Sequence, residues 1–173
     1  GLNDAGLGVC LNTLPAPSRD VGVPHYFTLR GLYKSRSLSS AIEAIERAQR
    51  AIPANIMLAT PEGPANLEVT CEQVFVLQDP KRLTHTNHCL HPELLRVNEQ
   101  FPELIESGPR KVRMDQLFQY AETAPGLEAM KRFLADHEGY PKSICRHSND
   151  HPEHGYWTTV FSAIVDAEAW QLH

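Results

Sequence analysis

No stretch of this 173-residue chain approaches the ~18 consecutive apolar residues that a membrane span needs. The first ten residues, GLNDAGLGVC, lack the charged-then-apolar layout of a signal peptide. A cytoplasmic location without a membrane partner is therefore expected. Cysteine is scarce: Cys10, Cys71, Cys89 and Cys145 stand far apart and form no CxxC pair. That argues against a disulfide framework and a cysteine-rich zinc module, and for free thiols in a reducing compartment. Basic residues form no cluster longer than GPRKVR at 108–113, so the electrostatic footprint of a nucleic-acid binder is missing. There is no internal repeat and no low-complexity segment. What remains, 42% hydrophobic residues at a formal charge of -5, has the make-up of one globular domain able to bury a core.

The apolar pattern alternates between two periods. GLGVCLNTL (6–14) reads as a strand interior. HYFTLRGLYKS (25–35) and SLSSAIEAIERAQRA (37–51) have helical spacing, the second with Leu38, Ile42, Ile45 and Ala48 on one face, Ser37 as N-cap and Pro53 as its stop. NIMLAT, NLEVTC and QVFVLQ read as three strands, the first two joined by the turn-prone PEGPA as an antiparallel hairpin. RLTHT (82–86) is a candidate fourth strand. A Pro-interrupted, partly helical stretch (92–110) and two helices, MDQLFQYAET and LEAMKRFLADHE, follow it. Two further strands, Trp157 to Val165 and Ala169 to His173, are expected at the end. Helices and antiparallel strands come in blocks, which points to α+β. Both ends read as cut from a larger sheet, whose edge strands another polypeptide is expected to cover.

The densest concentration of reactive side chains is LTHTNHCLHP (83–92). His85, His88 and His91 lie three apart, and His147, His151 and His154 with Asp150 form a second cluster, so zinc ligation is one reading. Pro92 argues against the helix that would align the first three. Cys89 beside His88 offers a thiol and a base, yet neighbours on an extended chain point to opposite faces, and free cysteine is among the most buried residue types. Asn87, at a strand end, can aim an amide N–H at the oxyanion of an attacked acyl carbonyl. Alternatively, it closes a turn with its own backbone.

Four stretches, GLNDAGLGVCLNTL, LEVT, THTNHCLHP, and LADHEGYPKSICRH running into TTVFSAIVDAEAWQL, together resemble the C-terminal part of the acyl-coenzyme A:6-aminopenicillanic acid acyltransferase (isopenicillin N acyltransferase) family of N-terminal-nucleophile hydrolases. The resemblance implies an αββα sandwich of which residues 1–173 are the C-terminal portion. It also implies self-cleavage of a precursor to free an N-terminal cysteine, and acyl transfer or amide hydrolysis through a thioester on that cysteine, without metal or other cofactor. Asn87 in TNH matches the family's oxyanion-hole asparagine. Asn12 in GVCLN is similar to an asparagine beside the nucleophile of the related bile-salt hydrolases, and Arg146 in SICRH resembles an arginine that orders the site.

The family's Gly-Cys nucleophile dipeptide has no copy here, and residue 1 is glycine. The nucleophile is expected on a preceding segment or partner chain of the same precursor, and the substrates to be small amides, peptides or acyl-CoA. The alternatives are a catalytically inactive ligand-binding relic of the family and, of another class, a zinc protein built on the histidine clusters.

Overall fold

The computed structural model describes residues 1–101, 107–121, 124–152 and 155–173. They form two compact units, Gly1–Ile105 with Val165–His173, and Glu106–Ile164.

The first unit is built on a four-stranded antiparallel sheet in the order β1-β2-β3-β4 (Gly8–Thr13, Ala54–Thr60, Gly63–Val69, Val74–Gln78). PEGPA closes the β2–β3 hairpin as expected, with Thr60 opposite Gly63. Gly63 takes φ +111°, a region most side chains avoid, and Thr60 Oγ1 donates to its carbonyl at 2.8 Å. Directly paired residues share a face, so the register divides the sheet. Val9, Ile56, Leu58, Ala65, Leu67 and Val69 face one way and build the main core with Leu29, Leu32, Ala41 and Ile45. The last four come from α1 (His25–Leu32) and α2 (Leu38–Glu46).

Ser37 caps α2 as its sequence suggests, in a reciprocal capping box with Ser40. The helix does not run to Pro53. It ends at Glu46 because the buried Arg50 turns back and donates to the carbonyls of Ile45 and Glu46, 2.8 and 3.5 Å away, taking acceptors left open at a helix end.

RLTHT is not a fourth strand: residues 82–86 run as an irregular loop. A 3₁₀ helix, Pro92–Gln100, follows, and Leu94 joins Leu14 and Cys89 in a smaller core against Phe75 and Val97. At the other end of the sheet β5 (Val165–Asp166) and β6 (Gln171–Leu172) make a short hairpin. It sits on the face away from the helices, where a Cβ on Gly8 would lie 3.1 Å from Val165. The expected long strand from Trp157 is confined to its last residue; Val160 and Phe161 are 87% and 81% exposed and have no strand beside them among the described residues.

In the second unit α3 (Ser107–Tyr120) starts about two turns before the expected MDQLFQYAET helix, and α4 spans Leu127–Leu134. Phe118 meets Phe133 edge-on at 5.6 Å. Arg113 grips Asp136 with two hydrogen bonds, 3.0 and 2.7 Å. Parts of two expected helical stretches, 102–106 and 122–123, lie outside the described residues, as does His154. No helix among the described residues is long and apolar enough to cross a membrane. Helices beside an antiparallel sheet agree with the α+β expectation.

Candidate active site

The face of the sheet turned away from α1 and α2 carries buried polar residues among apolar ones. One register row crosses all four strands on this side: Asn12, Asn55, Glu68 and Phe75. Asn55, Glu68 and the neighbouring Asn66 are almost wholly buried, a costly arrangement unless each polar atom is satisfied.

Glu68 is satisfied by the 85–91 loop. Its carboxylate accepts hydrogen bonds from His85 Nε2 at 2.9 Å, the Leu90 N–H at 2.6 Å and the His91 N–H at 3.0 Å. Burial alone would raise the pKa of Glu68. The hydrogen bonds from His85, Leu90 and His91, together with the His85 charge, outweigh it and hold the carboxyl below its ordinary range. Both ring nitrogens of His85 face oxygens, Glu68 on one side and the Thr86 carbonyl on the other. His85, within the 82–86 stretch expected to be a strand, spends its side chain on this carboxylate, and the loop's backbone donors at Leu90 and His91 do the same.

Held in this way, the loop meets the end of β1 in a reciprocal clasp. Asn12 Nδ2 donates to the Thr86 carbonyl at 3.4 Å, and Asn87 Nδ2 donates to the Thr13 carbonyl at 3.3 Å. Two of the three residues singled out in the sequence are thus brought together across 74 positions of chain. Beside them, Asn55 donates to Asn66 Oδ1 and to the Leu67 carbonyl. Asn55 Oδ1 and Asn66 Nδ2 have no hydrogen-bond partner among the described residues. A buried donor and acceptor left without partners cost roughly 1–3 kcal/mol each.

Arg146 belongs to the second unit. Its backbone pairs with Thr159, through N–H to Thr159 Oγ1 at 2.9 Å and its carbonyl to the Thr159 N–H at 2.8 Å. Its guanidinium lies 5.4 Å from the centroid of the Trp157 ring.

Cys89 is no nucleophile. Fully buried beside the Glu68 carboxylate, its thiol is pushed up to about 12 by burial first and by that negative charge second, far from the thiolate that attacks carbonyls. The histidine triplet does not converge either. His85 turns to Glu68, His88 Nδ1 lies 3.2 Å from Thr86 Oγ1, and His91 packs on Phe75 while capping the 3₁₀ helix. Surface hollows of about 390 and 460 Å³ are lined by the β4 edge with Arg50 and by the α1–α2 turn, and neither includes Asn12 or Asn87.

Glu68 escapes a reading of the sequence even though it lies inside LEVT. Between Leu67 and Val69 it falls on the alternate face, which an isolated strand pattern assigns to solvent. Its burial depends on a loop 17 residues further along.

The acyl-coenzyme A:6-aminopenicillanic acid acyl-transferase family model matches residues 1–171. The chain is 32% identical over 172 residues to the 40 kDa form of the acyl-coenzyme A:6-aminopenicillanic-acid-acyltransferase of Emericella nidulans, over 96% of this chain and 46% of that protein. It therefore spans about half the length of this relative.

Proposed function

Because the chain belongs to the acyl-coenzyme A:6-aminopenicillanic acid acyl-transferase family, we propose that its polar sheet face is the oxyanion-stabilising part of an acyl-transfer site. The carrying observation is the clasp of Asn12 and Asn87 above the buried Glu68. Asn87 is the oxyanion donor. Its 3.3 Å bond to a neutral carbonyl is long enough to be exchanged for a shorter one to a charged oxygen as the tetrahedral intermediate forms. Asn12 fixes the loop from below, and Glu68 is a positioning residue acting through Leu90, His91 and His85.

The nucleophile in this reading is a cysteine at the N-terminus of another segment or chain of the same precursor. Within this chain Cys71 and Cys89 are buried. The free α-amine, with an ordinary pKa of ~7.7–8.0, takes the thiol proton. The thiolate adds to the acyl carbonyl of an amide, small peptide or acyl-CoA, and the leaving group departs with a proton. Water or an amine then releases the acyl group from the thioester. The helix-backed sheet with a polar inner face suits one αβ half of an αββα sandwich, and four free thiols suit a reducing, cytoplasmic setting.

The test is acid-quenched intact-mass analysis of the natural protein after exposure to a small acyl-CoA, with N-terminal sequencing of each species. An acyl adduct on a polypeptide beginning with cysteine is expected. An adduct on one of this chain's own cysteines, or none at all, overturns the reading.

A further inference from the structure

The segment after α4 folds back on itself through its backbone. The Cys145 N–H donates to the Asp136 carbonyl at 2.9 Å, and Arg146 is tied to Thr159 in both directions. Asp136 is itself anchored by Arg113 and accepts from the Glu138 N–H. Each of three side chains in this segment is therefore next to a fixed point: His137 follows Asp136, and Cys145 and His147 flank Arg146.

Their ligating atoms converge. His137 Nε2 and His147 Nε2 are 2.7 Å apart, Cys145 Sγ is 3.9 Å from His147 Nε2, and all three atoms lie within 4.8 Å of one another. The two rings stack at 4.8 Å with planes 13° apart. Two exposed imidazoles have little to gain from each other that water would not supply. A cation facing both nitrogens accounts for the meeting. Among the described residues this is the one such convergence of three histidine, cysteine or acidic side chains.

We infer that His137, Cys145 and His147 form a metal site for one borderline-soft divalent ion, Zn²⁺ being the ion that a thiolate and two imidazoles match, with the fourth position left to water. Zn–N bonds of ~2.0–2.1 Å and a Zn–S bond of ~2.3 Å in a tetrahedral shell place the two nitrogens roughly 3.3 Å apart and the sulfur roughly 3.5 Å from each. The observed separations straddle these values, so side-chain shifts of a few tenths of an ångström to about 1 Å complete the shell without moving the backbone. On binding, the thiol S–H breaks, its proton passes to the buffer, and the sulfur lone pair forms the metal bond. The proton between the two Nε2 atoms moves to Nδ1 of the ring that held it, leaving both Nε2 lone pairs for the ion. The inference rests on these three side chains alone and survives failure of the acyl-transfer reading.

Equilibrium dialysis of the purified chain against Zn²⁺, and then against Co²⁺, tests it. One ion per chain is expected, with a thiolate-to-cobalt charge-transfer absorption that disappears in Cys145→Ser. His137→Gln and His147→Gln, both at exposed positions and expected to leave the circular dichroism unchanged, weaken binding more than about tenfold. Cys10→Ser, removing the exposed thiol of the other unit, leaves it unchanged. Failure to retain an ion, cobalt bound without the thiolate absorption, or uptake indifferent to both histidine substitutions overturns the proposal.

Discussion

The two faces of the four-stranded sheet are built from alternate residues of the same strands, yet they obey opposite rules. On one, Val9, Ile56, Leu58 and Leu67 close against α1 and α2. Area removed from water stabilises that face, at about 25 cal/mol per Å². On the other, Asn12, Asn55, Asn66 and Glu68 occupy positions that apolar residues would fill at less cost. The apolar face holds the unit together, and the polar face uses part of that stability to keep a loop and its asparagine in one place.

Substitutions on the two faces sharpen the contrast. The largest effect is expected from Glu68→Ala, which strands the donors of His85, Leu90 and His91. It should cost about 3–5 kcal/mol in urea unfolding, and a loss below 1 kcal/mol would mean that the loop does not depend on the carboxylate. On the opposite face, Ile56→Ala should cost about 2–5 kcal/mol through the cavity it leaves. The folded fraction should keep full turnover in the active assembly, and a fall in turnover would break the division between the faces.

A smaller effect separates the faces by pH. The folded-state pKa of Glu68 lies below its ordinary value of 4.5, so its contribution is complete above that value and is lost as pH falls through the lowered one. Glu68→Gln should flatten this acid limb in chemical unfolding between pH 6 and 3 (an interval chosen to bracket the ordinary carboxylate range of ~3.9–4.3). Ile56→Ala should shift the whole curve without changing its shape.

Elements set by near neighbours in the chain were open to reading: Ser37 capping α2, the PEGPA hairpin, and the alternation of β2 to β4. Elements set by distant partners were not. Arg50 ends α2 from outside the helix, and Glu68 is buried by His85 within RLTHT and by Leu90 and His91 beyond it. The histidines make the same point. Their threefold spacing at 85, 88 and 91 suggests a shared ligand, whereas His137 and His147 meet across a ten-residue fold-back. Asn12 and Asn87 came from resemblance, and only the register and the loop show that they share a place.

The measurement closest to the central claim is the steady-state kinetics of Asn87→Ala in the assembly that carries the proposed acyl-transfer activity, beside Ile56→Ala as the stability control. The account predicts a fall in kcat of about 10²–10³ with KM little changed and an unfolding midpoint near that of the parent. Turnover equal to the parent, or a fall in kcat that only tracks lost folded protein, would contradict it.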